Sequence, residues 1–250
     1  IGLGEPGTSG HSIQMGVAGA EGTGQTSGNK IIVNLVASGG MQNAAPVFIF
    51  KSFPSFALTN LPAAGLADGR LMRFKVTANS AGSVSLAHVV ARINSTQTNM
   101  NGTVELYAYT DANYSSPVSG FVASGKIAGV TVTSASNGAQ IVFPKPLTIP
   151  AGGTYYLELR GIGILNASSV TTTLLGAGNY FDPVSFTSLL GKDIMTIWSP
   201  NSRGTSAFTD SDWTGTYAIP GFPAGGLVQS RTGSVVTEPM PPTQGAAAVT

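Results

Sequence analysis

The sequence holds no cysteine, so neither a disulfide framework nor thiolate chemistry is open to it. Charge is nearly as scarce. Twelve Lys and Arg and 11 Asp and Glu make up 9 % of 250 residues, against roughly 25 % in ordinary globular domains. The basic residues are scattered singly, with no cluster to neutralise phosphates, so nucleic acid is not an expected partner. No stretch reaches the ~18 consecutive apolar residues of a membrane-spanning helix. The longest apolar runs, 31–37 and 44–50, have the length of strands. Helical periodicity is missing too, so helices are expected to be short or absent. There are two histidines, His11 and His88, and no G-x-S-x-G element, which leaves no familiar acyl-transfer signature. His88 alternates with Leu86 and Val90 and reads as a tolerated polar position in a strand. The expectation is a protein without enzymatic activity, cofactor or required metal.

What the sequence does contain is turn and strand chemistry. Apolar residues stand at 42 %, which excludes a disordered composition, and 33 Gly and 15 Pro supply many turns. The run 71–78 (LMRFKVTA) alternates: Leu71, Arg73, Lys75 and Thr77 share one face, and Met72, Phe74, Val76 and Ala78 the other. The run 104–110 places Val104, Leu106 and Ala108 opposite Glu105, Tyr107 and Tyr109. Such period-2 patterns define half-buried strands, and Phe74, Val76, Leu106 and Ala108 are the predicted core. A further run at 84–93 follows 71–78 across Ala81-Gly82, which predicts a hairpin. Further strand-length runs lie at 127–133, 140–143, 154–161, 169–175 and 193–198. Pro144, Pro146 and Pro150 confine 143–150 to an edge or crossing segment. About ten closely spaced strands predict an all-β, antiparallel β-sandwich or jelly-roll-like fold.

The ends differ from this pattern. Residues 1–30 are Gly-rich and nearly uncharged, and 238–250 form a Pro/Ala-rich tail, so the expected division is arm 1–30, sandwich 31–237 and tail 238–250. Ordering such backbone costs ~1–2 kcal/mol per residue, and neighbouring copies are the expected support. The assembly candidates are Ile13, Met15 and Val17 in the weaker run 11–17, and Ile31, Ile32, Val33, Leu35 and Val36 in IIVNLVA. That second run reads either as a donor strand for a neighbour or as the first strand of its own sandwich. Ile1 in place of Met gives the expectation of an exported chain with its leader removed.

Few residues offer chemistry. Asp210 and Asp212 form a D-x-D pair that suits either a weak Ca²⁺ loop or Asx-type turn capping, and Asp111 with Asn113 is looser still. Asn94, Asn101, Asn113 and Asn166 head Asn-x-Ser/Thr sequons and are glycosylation candidates, so glycan is one partner to consider. Trp198 and Trp213, the only tryptophans, flank a polar loop whose one apolar anchor is Phe208. Buried rings would pin that loop to the sandwich, whereas exposed rings would form a shelf for a sugar.

The segment 196–227 carries Trp198-Ser199-Pro200, Asp212-Trp213-Thr214, Thr216-Tyr217 and Pro220-Gly221-Phe222-Pro223 in that order. It resembles the closing segment of secreted cell-surface proteins of Patescibacteria, with Gly-Thr-Tyr where Asn-Gly-Tyr is expected. The resemblance spans roughly 53–230 and implies secretion, a β-sandwich and a cell-surface setting, with no catalytic residues. Together with the low charge, it leads to the expectation of an extracellular structural subunit that associates with copies of itself in a filament or surface layer. The alternative is a secreted adhesin or carbohydrate-binding module.

Overall fold

The computed structural model describes residues 12–13, 16–17, 19–23, 30–34, 42–43, 47–48, 50–62, 65–96, 101–133, 138–162, 169–176, 181–192, 196–202, 207–215 and 219–232. The chain divides into two units, Ile1–Lys51 and Ser52–Thr250.

Among the described residues the first unit holds six short strands: β1 (Ser12–Ile13), β2 (Gly16–Val17), β3 (Gly19–Thr23), β4 (Lys30–Asn34), β5 (Gln42–Asn43) and β6 (Val47–Phe48). β1 pairs with β6, β2 with β5 and β3 with β4, all antiparallel. The pairs nest, from Ser12 opposite Phe48 to Thr23 opposite Lys30, as a ribbon of three short two-stranded pairs. The expected boundary at 30/31 therefore moves to 51/52. Ile31, Ile32 and Val33 do not open the sandwich; they stand opposite Gly22, Glu21 and Ala20 within the ribbon. Pairing with the nearest strand closes a short loop, which costs less entropy than reaching a distant sheet.

The second unit contains β7 (Pro54–Leu58), β8 (Arg70–Ala78), β9 (Val84–Ser95), β10 (Asn101–Tyr109), β11 (Lys126–Thr133) and β12 (Ala139–Ile149). It continues with β13 (Thr154–Ile162), β14 (Ser169–Leu175), β15 (Phe181–Val184), β16 (Ile197–Ser199), β17 (Trp213–Gly215) and β18 (Leu227–Thr232). One sheet runs β11-β10-β13-β8-β7; the other runs β15-β17-β16-β9-β14-β18, with β12 on the remaining side of β9. Every pairing described is antiparallel, and neither sheet closes, which makes the fold all-β and sandwich-like. The only helices among the described residues are α1 (Phe186–Leu189) and a 3-10 turn at Gly65–Asp68.

The alternation places its residues as expected: Phe74, Val76, Leu106 and Ala108 are all fully buried. The predicted hairpin between 71–78 and 84–93 does not form, because β8 and β9 belong to different sheets. Each residue from Val84 to Ala91 is buried. Since successive side chains point to opposite faces, β9 is covered on both, Ala87 packing with Phe186, Leu189, Ile197 and Trp213, and within the sheet it is central, with β12 along one edge and β16 and β14 along the other. A hairpin partner on a half-buried meander could not supply that cover.

The prolines act where expected. Among the described strands β12 pairs only with β9, and its register slips between Val142 and Leu147, around Pro144 and Pro146. The β7 edge of the first sheet is covered differently. The Phe56 N–H donates to the Pro220 carbonyl at 2.9 Å, and the Phe222 ring lies 4.7 Å from that of Phe56. Gly221, at φ +76°, passes so close that a Cβ would meet the Phe56 carbonyl oxygen at 1.9 Å, so only glycine fits this crossing. At the opposite edge, no described strand pairs with the outer side of β11.

Candidate functional site

A cluster of the scarce charge, Arg70, Arg73, Glu105, Lys126, Glu158 and Arg160, gathers on the outer face of the five-stranded sheet. The register sets Arg73 opposite Glu158 and Glu158 opposite Tyr107, with Arg160 opposite Glu105. Residues 70 and 73 of a regular strand would point to opposite faces. A bulge between Leu159 and Arg160 lets Arg160 pair with Arg70 directly after Leu159 pairs with Met72. The slip turns Leu71 into the core and leaves both Arg70 and Arg73 beside the Glu158 carboxylate.

The Glu158 side chain is 0 % exposed and is held by three guanidiniums. Arg160 Nε donates to Oε1 at 2.5 Å, and Arg73 Nε donates to Oε2 at 2.5 Å. Arg70 Nε lies 3.1 Å from Oε2 as an ion pair without hydrogen-bond alignment. The arginines also stack on tyrosines: Arg73 sits 3.8 Å over the Tyr114 ring and Arg160 4.1 Å over Tyr107. Arg160 Nη2 donates to the Tyr109 hydroxyl at 3.0 Å. Burial draws the Arg160 pKa down, but the charge and hydrogen bond of Glu158 outweigh it and hold Arg160 above the ordinary arginine value. Tyr107 donates to Glu105 Oε2 at 2.6 Å, and Lys126 pairs with Glu105 Oε1. Burial first, and then the bond to Glu105, push the Tyr107 hydroxyl up to about 12. Both shifts keep Arg160 charged and Tyr107 protonated near neutral pH.

The layer extends to the second sheet. Arg231, in β18, donates to the Arg70 and Pro62 carbonyls at 2.9 Å each and pairs with Asp68 at 3.3 Å. Gln229 accepts the Arg73 N–H at 3.0 Å. A shallow groove of about 360 Å³ beside them is lined by Asn60, Leu61, Pro62, Gln229, Ser230, Arg231 and Thr232. The cluster thus fastens four strands of one sheet together, β8, β10, β11 and β13, and ties that sheet to the edge of the other.

The tryptophans are buried, Trp198 at 1 % exposure and Trp213 at 0 %, so they form no sugar shelf. Trp213 packs with Ala87, Phe186, Leu189 and Ile197, and Phe208 leans on Phe186 and Trp213 with centroids 4.3 and 5.7 Å away. The Trp213 Nε1 donates to the Ala207 carbonyl at 2.8 Å, which pins the loop from within. Asp210 accepts the Ala207 N–H and Asp212 the Ser202 N–H, each at 2.9 Å. Asp111 accepts N–H bonds from Asn113 and Ser116, the Asx-type capping expected of it.

His88 is 4 % exposed, its Nδ1 has no partner, and desolvation lowers its pKa to about 4. It is therefore neutral in the fold, with no carboxylate or hydroxyl bonded to it among the described residues. A depressed histidine stabilises fully above the unfolded value of 6.5, and that stability drains as pH falls toward 4. The shift amounts to about 3 kcal/mol. Thermal melts from pH 7 to pH 4 are expected to fall more steeply for the native chain than for His88→Leu. Parallel slopes would disprove the assignment.

Of the other residues singled out in the sequence, Asn94 and Asn113 are exposed and open to modification. Asn101 opens β10, Ile13 lies in β1 and Val17 in β2. His11, Met15, Leu35, Val36 and Asn166 fall outside the described residues. Sequence reasoning missed the Glu158 cluster. Its signal was Arg70-x-x-Arg73 together with Glu158-Leu-Arg160, a strand face carrying alternate opposite charges in a chain that has few to spend. Among the described residues no group of three or more His, Cys, Asp or Glu converges as a metal centre would. No protein-family model matches the chain, and no curated protein matches it.

Proposed function

We propose that the chain is a structural subunit of an extracellular surface assembly, in which the N-terminal ribbon of one copy pairs with the open β11 edge of the next. The observation that carries this reading is the ribbon itself. Among the described residues its strands pair only with each other, and no described strand lies on the outer edges of any pair; an isolated two-stranded pair is marginally stable in water. Joining a third strand completes a ladder of main-chain hydrogen bonds and relieves that deficit. The five-stranded sheet of the second unit offers one suitable edge among its described strands. β7 is covered by Pro220 and Phe222 and β12 is interrupted by prolines, but β11 has no described strand beyond it. Every second residue of β11 therefore directs its N–H and C=O away from β10.

A ribbon-to-edge contact joins two different surfaces, so it propagates head to tail and gives an open polymer. The sequence resemblance to secreted surface proteins and the charge-poor composition favour the same setting. Removal of residues 1–51 is expected to leave a folded monomer by size-exclusion chromatography, while the full chain forms fibres or sheets in negative-stain microscopy. Polymerisation of the truncated chain to the same extent as the full one would remove the ribbon from this role.

A further inference from the structure

We propose that the outer face of the five-stranded sheet binds an acidic polysaccharide, whose carboxylates are taken by the guanidiniums of Arg73 and Arg160 and by Lys75. Five cations stand on this face: Arg70, Arg73 and Lys75 on β8, Arg160 on β13 and Lys126 on β11. The register sets only two carboxylates among them, Glu158 and Glu105, which leaves three cations in excess. Asp68 bonds to Arg70 as a further carboxylate, but Arg231 pairs with it as well and matches its charge. The whole chain carries a formal net charge of only +1. The rest of the chain is therefore net acidic, and the positive surplus is local to this face.

The arginines keep donors to spare. Glu158 accepts only the Nε donors of Arg73 and Arg160, both at 2.5 Å, and this gathers the two guanidiniums around one carboxylate. Stacking on Tyr114 and Tyr107 fixes the plane of each. Arg73 Nη1 and Nη2, Arg160 Nη1 and Arg70 Nη2 donate to no described residue, and none of the four is shut off from water. Glu158 is fully buried while the arginine side chains are partly exposed, so the carboxylate lies beneath and the spare N–H groups reach solvent. Lys75, opposite Tyr156, is exposed and pairs with no described carboxylate. Guanidinium forks held in this way suit carboxylate groups, which they can grip with two N–H bonds. Duplex DNA fits less well. It presents a charge every ~1.7 Å, which Glu158 and Glu105 oppose, and the Tyr107 and Tyr114 faces that single-stranded bases would stack on already carry guanidiniums. A polyuronate spaces its carboxylates by a whole sugar and needs no free ring.

Full-length protein is titrated with polygalacturonate and with the same polymer fully methyl-esterified, which keeps the sugar and loses the charge. The expected result is binding of the acidic form alone, weakening as salt is raised. Lys75→Glu reverses an exposed charge on the face and is expected to weaken binding about tenfold. Arg92→Glu makes the same change at an exposed position of β9, in the other sheet, and is expected to change affinity less than about twofold, because salt screens charges at that remove. Arg73→Lys keeps the charge but loses the fork, for an expected loss of about tenfold. No binding of polygalacturonate, equal binding of its ester, or equal weakening by Lys75→Glu and Arg92→Glu would each overturn the proposal. So would unchanged binding by Arg73→Lys, or tighter binding of a DNA duplex than of polygalacturonate. The comparison of Lys75→Glu with Arg92→Glu decides alone if Arg73→Lys fails to fold.

Discussion

Glu158→Gln is expected to lower the stability of the second unit by about 3 kcal/mol, read as a shift in the urea midpoint at unchanged slope. The carboxylate is fully buried among Arg70, Arg73 and Arg160, whose side chains are 31 %, 13 % and 26 % exposed. Removing the anion leaves three cations facing one another across β8 and β13. Breaking a buried pair from one side costs about 3–5 kcal/mol, and the lower end applies because the guanidiniums can turn partly toward water. Repulsion, rather than the lost attraction alone, dominates this cost. The double variant Glu158→Gln, Arg73→Leu is therefore expected to be more stable than the sum of its single changes predicts. A Glu158→Gln loss below about 1 kcal/mol would show that the cluster is solvated and contributes little.

That cluster marks where sequence reasoning stopped. The alternation in 71–78 and 104–110 identified Phe74, Val76, Leu106 and Ala108 because one face of each strand is uniformly apolar. The same alternation assigned Glu105, Tyr107 and Tyr109 to the opposite face, where polar residues usually meet water. They are 6 %, 9 % and 4 % exposed instead. Their cover consists of each other and of arginines from two further strands, a pairing that depends on register. The bulge that brings Arg70 and Arg73 to one carboxylate depends on the partner strand as well, so neither strand's own sequence contains it.

Local chemistry misled in one place and informed in others. The Ala81-Gly82 turn suits a hairpin, and only the two-sided burial of β9 shows that the chain crosses to the other sheet. Pro144 and Pro146 marked an edge correctly, because a missing N–H is a property of the residue alone. Asp210 and Asp212 stand two residues apart but accept N–H bonds from different segments, Ala207 and Ser202, a difference that spacing alone does not carry.

Trp213→Ala is expected to cost about 3–5 kcal/mol, the range for truncating a large buried ring. The side chain is 0 % exposed and packs against Ala87, Phe186, Leu189 and Ile197, so its loss opens a cavity beside the central strand β9. It also removes the 2.8 Å bond to the Ala207 carbonyl, which fixes the loop ahead of Asp212. Trp213→Phe separates the two effects. It keeps most of the packing and sacrifices the bond, for an expected cost of about 1–2 kcal/mol. The loop should then loosen while β9 stays covered, so that amide hydrogen exchange quickens at 207–212 and stays slow at 84–91. Urea midpoints for the two variants, with exchange measured on Trp213→Phe, test this order. Equal losses, or fast exchange at 84–91 in the phenylalanine variant, would mean that the bond to Ala207 matters more than the ring's volume. Trp213 would then be a latch on the loop rather than the cover of the sheet.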